Sequence, residues 1–565
     1  MKLLSLEIGE QFRSLHPGFK VNFHRLTDKG VQSMLEFQPF CFAGLNGSGK
    51  SNVLEALAAI FYHLEMCVAK YRPESFEKHF RRDRCAPDDF ILKYLICREE
   101  KENQSPETAF VVQIEKNKGE EPRMFVDVSP TASMIAQQLR EVSLQSSDRS
   151  REAAPGKAFL PDLVVGYSSG ENEILSLPFI KNRLIHFDEY IEAVKKGYPF
   201  DEPETSLIYI DEEMSQAVLL ACMLFEDDAT LKPLRDELGI IGIRSFRMNL
   251  NNQILYIEDH QKDVQVLDLL NKRLDILKNI ATSWIELDSE YNDAEDDGYR
   301  ILTLDFFVDE VTKRAFRDNF KSSFELFRFF QVLYELNSSI VGQRTKEDVY
   351  KSKGFYTDGK LPLAAPEDNV FYFLDYMILK YEGGEKPNER LLREFSDGEH
   401  QFLHTMGICL MLKERRTLLL LDEPETHFNP KWRADFIKIL NSSIKAGGTN
   451  NFLKDVLLTS HSPFIISDCM PDNVLFFKKN ENKLLEAKRA TELGLNTYGS
   501  SVDYILRNFF RTNLVSSKSF EELKNIIDNG TIDELRRAVD NFGESSQKQF
   551  LFKKIYEKME MKDDN

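Results

Sequence analysis

Apolar and polar positions change their period several times along the chain. The start alternates in short runs, LLSLEI, FKVNF and QPFCFAG, as half-buried strands do. From Val53 the spacing changes, and Val53, Leu54, Leu57, Ile60, Phe61 and Leu64 share one face of a helix. This predicts strand, loop and helix as the opening unit. From Phe90 to Val128 the runs FILKYLICRE, AFVVQIEKN and RMFVDV are separated by polar stretches with Gly and Pro, which predicts an antiparallel meander. Residues 143–157, SLQSSDRSREAAPGK, have the composition of a linker.

Farther on, helical patterns over 262–281 and 310–338 mix with short strands, with no fixed-period repeat and no sustained heptad series. A long coiled-coil arm is therefore not expected. Apolar character rises again at VFYFLDYMILKY, and the tail beyond 500 reads as helical. There Ser519 with Glu522 and Thr531 with Glu534 have capping-box spacing, and Gly530 stands where a helix would stop. These shifts predict an α/β chain in four parts. They are an N-terminal lobe (1–175), a mixed, mainly helical insertion (176–365), a C-terminal lobe (366–500) and a helical tail (501–565).

Composition changes this picture little. With 42% hydrophobic and 29% charged residues the chain is globular, and 565 residues are enough for about three to four folding units at roughly 150 residues each. The net charge of −19 argues against a generally basic coat for nucleic acid but leaves room for a local basic patch. Seven cysteines, Cys41, Cys67, Cys85, Cys97, Cys222, Cys409 and Cys469, form an odd set without a C-x-x-C pair, so they predict thiols in a reducing cytoplasm. No uncharged apolar run reaches the ~18 residues of a membrane span, and the N-terminus has no signal-like core, so a soluble chain is expected.

Candidate chemistry begins at Gly44-Leu-Asn46-Gly47-Ser48-Gly49-Lys50-Ser51-Asn52, which fits G-x-x-x-x-G-K-[ST] between an apolar strand and a helix. Its glycines let backbone N–H groups curl around phosphates, Lys50 reaches the β- and γ-phosphates of ATP, and the Ser51 hydroxyl is a ligand for Mg²⁺. Thr417-Leu-Leu-Leu-Leu421 then ends in Asp422 and Glu423, one carboxylate for the metal and one to orient and deprotonate the attacking water. Val456-Leu-Leu-Thr-Ser460 ends in His461, a third strand end that presents a polar group, where open α/β sheets bind ligands. Phe395-Ser396-Asp397-Gly398-Glu399 opens another apolar helix and offers a second anion-binding terminus, with an ordinary N-cap as the competing reading.

Other stretches carry competing patterns. Tyr167-Ser-Ser-Gly-Glu-Asn-Glu173 with Ile208-Tyr-Ile-Asp211-Glu212 mimics a second signature and acidic strand end, and Asp201-Glu-Pro-Glu-Thr205 repeats the DEPET of 422–426. No second P-loop accompanies them, so the repeat is expected in a solvated loop, while YSSGENE is also a candidate for contact with nucleotide or a partner. His400, His404 and His427 lack HNH spacing, so no nuclease site is expected in this chain. Lys78-His-Phe80-Arg-Arg-Asp-Arg84 is the densest basic stretch and the candidate for nucleic-acid contact, against a plain solvated face.

GLNGSGKSN, FSDGEHQF, LLLLDEPETHFNP and LLTSHSP, in this order, resemble the Walker A, signature, Walker B with D-loop, and H-loop of ABC-type ATPases of the SMC, RecF and OLD branch. The resemblance implies an ABC-type head that binds ATP and Mg²⁺, and a homodimer or higher oligomer. In it Ser396, Gly398 and Glu399 of one copy close over the ATP on the other copy's Lys50, with Glu425 to Pro430 at the interface. The signature departs from the commonest pattern at Asp397 and Glu399, and no convincing Q-loop glutamine is visible. PDLVVGYSSGENEILSLPF (161–179), SLIYIDEEMSQAVLL (206–220) and NTYGSSVDYILRNFF (496–510) are similar to the ATPase subunit of Septu-type anti-phage defence systems, which also occur beside retrons. That similarity implies a separate HNH nuclease partner and, in some systems, a reverse transcriptase with its RNA–DNA product. The rival expectation is a RecF- or SMC-like clamp acting directly on DNA, and a third is a scaffold whose ATP is structural.

Overall fold

The structure is a computed structural model that describes residues 1–25, 37–97, 109–127, 139–146, 153–170, 172–200, 206–252, 254–257, 262–288, 300–354, 361–362, 365, 368–383, 386–412, 415–446, 454–510, 517–543 and 546–563. The repeated DEPET at 201–205 and the middle of the expected linker, 147–152, lie outside these residues. The chain forms two compact units, Met1–Tyr498 and Gly499–Asn565.

The larger unit is built on a seven-stranded sheet. Its spatial order is Leu485–Arg489, Val474–Lys479, Phe40–Gly44, Lys454–Thr459, Thr417–Asp422, Leu163–Ser168 and Leu207–Tyr209. Every neighbouring pair is parallel except the first. The strands FCFAG, TLLLLD and KDVLLT are buried along their whole length, as parallel strands covered on both faces must be. The expected helix spans Lys50–Val68, and its Leu54, Leu57 and Phe61 share a core with Leu418, Leu420, Leu457 and Val164 of the sheet.

Two antiparallel sheets flank this layer. The meander expected from Phe90 is present as Phe90–Ile96, Phe110–Lys116 and Arg123–Asp127, joined at one edge by Lys2–Ile8 and Phe19–Asn22 and at the other by Leu139–Val142. A second sheet runs Ser283–Asp288, Arg300–Phe307, Ile240–Asn252, Phe371–Lys380 and Asn388–Leu391. Mixed and antiparallel sheets with many helices make the chain α/β, as expected.

Two helical expectations need correction. Over 262–281 only Asn271–Ile280 is α-helix, while Lys262–Gln265 is a strand paired with Ile254–Ile257. The Asn252 amide holds this segment extended, accepting from the Leu267 N–H at 2.9 Å and donating to Gln265 at 2.8 Å. Over 310–338 there are two helices, Glu310–Asn319 and Ser323–Leu336, because the Ser322 hydroxyl accepts from the Glu325 N–H and starts the second.

The smaller unit contains the helices Val502–Phe509, Ser517–Asn529, Ile532–Asn541 and Ser546–Asp563, with Leu523, Leu535, Ala538 and Leu551 as its core. Thr531 and Glu534 form a capping box. Ser519 is not a cap: its helix starts at Ser517, and Glu522 faces Lys518 one turn back at 3.9 Å. All seven cysteines are free. Among the described residues no helix is long and apolar enough to cross a membrane.

Candidate functional site

The parallel strands deliver their C-terminal ends to one edge of the sheet. Phe40–Gly44 runs into the loop Leu45–Gly49 and then into the helix at Lys50. Gly47 and Gly49 adopt φ of +71° and +79°, where any other residue is strained, and a Cβ on Gly44 would lie 2.6 Å from the Phe477 carbonyl oxygen. Asn46 is exposed at the loop tip, whereas the Ser48 hydroxyl is buried and has no hydrogen-bond partner among the described residues. The Lys50 ammonium is buried and donates to the carbonyls of Gly44 (3.1 Å) and Leu45 (3.3 Å). Burial pushes its pKa down, against the pull of Glu423 and Asp422. A desolvated cation, an orphaned hydroxyl and a glycine cradle at a helix N-terminus fit a phosphate chain.

Asp422 lies across from this loop. Its Oδ1 accepts from the Ser51 hydroxyl at 2.7 Å and the Thr459 hydroxyl at 2.7 Å, and its Oδ2 accepts from the Asn172 amide at 2.8 Å. Ser51 and Asp422 are thus placed to share one Mg²⁺, whose other ligands would be phosphate oxygens and water. Among the described residues no cluster of three or more His, Cys, Asp or Glu could hold a metal ion. Glu423 follows at φ +49°, a left-handed conformation costly for a non-glycine residue. Its N–H donates to Thr459 at 3.0 Å, and its Oε1 stands 3.3 Å from His461 Nε2. The hydrogen bond from His461, with some help from Lys50, holds the Glu423 carboxyl below its ordinary pKa. His461 Nε2 is also 2.9 Å from the Lys50 ammonium. One ring nitrogen can accept from Lys50 or donate to Glu423, but not both at once.

Asn172 is a site residue that the sequence reading missed. It follows the strand Leu163–Ser168, where Ser168 stands opposite Asp422, and its side chain caps the helix Glu173–Lys196 by accepting from Leu175 at 3.0 Å. The signal lay in YSSGENE, a stretch expected to mimic a signature or to touch nucleotide or a partner, with Asn172 itself not singled out. Its apparent companion Asp211 is structural: it accepts from the Met214 N–H to cap the next helix and pairs with Arg183. Among the described residues Asn52 makes no hydrogen bond to Asp422; it accepts from the Ser14 hydroxyl at 2.6 Å and donates to Glu55 at 2.8 Å.

Ser396, Gly398 and Glu399 stand apart from this cluster. They open the helix Asp397–Met411, and among the described residues none of their hydrogen bonds reaches the P-loop. Ser396 and Glu399 form a capping box, and the Glu399 carboxylate also pairs with Lys380. Burial works against the ionised form of Glu399, but these donors keep its pKa low. A Cβ on Gly398 would fall 2.8 Å from the His427 carbonyl oxygen, so only glycine lets the helix end lie against the segment after Glu425. Ser396 and Gly398, with His427, Asn429 and Trp432, line an open cavity of about 510 Å³.

A P-loop strand, a histidine-bearing strand and an acidic strand end side by side in one sheet are the parts of a P-loop domain of ATPase type. A family model described as "AAA domain, putative AbiEii toxin, Type IV TA system" matches residues 244–467, which include the signature stretch, Asp422, Glu423 and His461 but not the P-loop. Among solved structures the chain is similar to an Smc head domain with an extended coiled coil, bound to the C-terminal domain of ScpA, from Pyrococcus furiosus. That match has 14% identity and a TM-score of 0.30, covering 87% of this chain and 98% of the other. An SmcHead bound to the C-winged helix domain of ScpA matches at 12% identity and a TM-score of 0.30, covering 86% and 97%. Neither likeness bears on function. No curated protein matches significantly.

Proposed function

We propose that this chain binds and hydrolyses Mg-ATP, that two copies close head to tail over the nucleotide, and that closure controls a partner effector. The observation that carries the reading is the convergence of Ser51 on Asp422 at 2.7 Å, with Glu423 and His461 beside them, from segments far apart in the chain. The backbone N–H groups of Gly44 to Lys50 hold the phosphates. A γ-phosphate oxygen takes the Lys50 ammonium, which leaves His461 Nε2 to Glu423, and the ionised Glu423 accepts the proton of the attacking water. Ser51 and Asp422 would hold Mg²⁺, which would supply positive charge to offset that of the phosphates. Ser396 and Gly398 of a second copy supply the donors that the first copy's own helix does not bring to its P-loop.

The partner most in keeping with residues 161–179, 206–220 and 496–510 is an HNH nuclease in a cytoplasmic anti-phage system, joined in some systems by a reverse transcriptase and its RNA–DNA product. A chain without HNH histidine spacing of its own suits a switch for a separate nuclease. The family model's toxin–antitoxin description is compatible with an effector held in check. Lys50→Ala tests the first step: calorimetry should show loss of tight ATP binding, because the phosphate charge goes uncompensated. Unchanged affinity would remove the P-loop from the mechanism.

A further inference from the structure

A second cavity, of about 280 Å³, opens behind the ATP site between the helix Lys50–Val68, the segment Phe76–Ala86, the start of the helix Glu173–Lys196 and the chain at Tyr350–Lys353. None of Gly44 to Ser51 lines it. Its apolar wall carries the rings of Phe12, Tyr62, Phe76, Phe80 and Tyr350, with Phe76 and Phe80 stacked 5.4 Å apart. Around them stand Arg13, Arg84, Lys181 and Lys353, against one carboxylate, Glu55, already engaged by Asn52. His79 and Lys351 share Glu347, and Arg81 pairs with Asp83. Among the described residues Arg84 and Lys353 have no carboxylate within ion-pair distance, and Lys181 donates only to the Ser352 carbonyl while its ammonium lies over the Tyr62 ring. Burial, with the Lys353 charge nearby, lowers the pKa of Lys181 to about 8.

We propose that this cavity binds a nucleoside phosphate, with the base against the aromatic wall and the phosphate among Arg13, Arg84, Lys181 and Lys353. In a chain of net charge −19 this concentration of cations is local, and it includes the basic end of the Lys78–Arg84 stretch. Apolar rings provide a stacking surface that tolerates any base, and the cations beside them, with Arg84 and Lys353 exposed at the mouth and Arg13 donating to the Lys353 carbonyl at 3.1 Å, attract an anion. A free nucleotide and the 5′ end of a single strand present the same chemistry. The proposal does not depend on ATP hydrolysis.

The test uses the full chain carrying Lys50→Ala, so that the P-loop does not bind the probe. Anisotropy of a 3′-labelled, 5′-phosphorylated oligo(dT) is measured at low salt, with dTMP and inorganic phosphate as competitors. Binding should weaken at least about tenfold when Arg84→Glu and Lys353→Glu, both exposed positions, are added, with the melting curve unchanged. Phe80→Ala should weaken it less. Competition by dTMP at comparable concentration identifies a free-nucleotide site, and its failure identifies a strand-end site. No binding to the parent, equal binding to the charge-reversed protein, or inorganic phosphate competing as well as dTMP would overturn the proposal.

Discussion

Glu423 is held at φ +49° so that its carboxylate leaves the strand and faces His461, and this strain makes sense if the group acts on a water. Glu423→Gln keeps size and hydrogen bonding but cannot take a proton. Steady-state ATP turnover should drop by roughly 10²- to 10⁴-fold while ATP affinity stays near wild type, and an unchanged rate would contradict the assignment. Asn172 acts through Asp422 rather than on the reacting atoms. Asn172→Ala should cut turnover and raise the Mg²⁺ concentration for half-maximal rate by about 10- to 100-fold, leaving metal-free ATP binding intact. Unchanged Mg²⁺ dependence would reduce Asn172 to a helix cap.

Glu425 makes a different prediction at the same scale. Burial pushes its carboxyl from the ordinary 4.5 up to about 7, against the Ser460 hydroxyl that donates to Oε1, and among the described residues Oε2 has no partner. The folded chain therefore holds a proton that the unfolded chain releases near pH 4.5. Stability is fully present below that value and is lost as pH rises through 7, by about 3 kcal/mol in all. Glu425→Gln cannot ionise, so its thermal midpoint should exceed wild type by more at pH 8 than at pH 5. A pH-independent difference would count against it.

At the scale of elements, strands that end in chemistry were the most legible. Gly44 to Ser51, Asp422 and Ser460 to His461 each follow a short, wholly apolar run, and such runs are buried strands in a parallel sheet. Periodicity failed where a side chain decided the backbone. Nothing in the spacing of 262–281 shows that Asn252 pins Leu267, and the S-x-x-E of Ser322 was hidden inside a longer apolar pattern. Asn172 was half legible, since YSSGENE marks its segment but not its partner. Its role comes from the pairing of Leu163–Ser168 beside Thr417–Asp422, a contact between distant segments that no local motif announces.

At the scale of the whole molecule, the P-loop cluster and the Ser396 helix end are separate surfaces of one chain, and the account requires them to meet in a pair of copies. A C2 pair places each surface against the other kind and makes two identical composite sites. The most direct measurement mixes two variants that should each be inactive, Lys50→Ala, which cannot hold the phosphates, and Ser396→Arg, which binds ATP but blocks closure. In half of randomly formed pairs one site joins an intact P-loop to an intact Ser396, so the equimolar mixture should recover about a quarter of wild-type ATPase activity. A mixture no more active than its two components would show that the ATP site is not completed by a second copy.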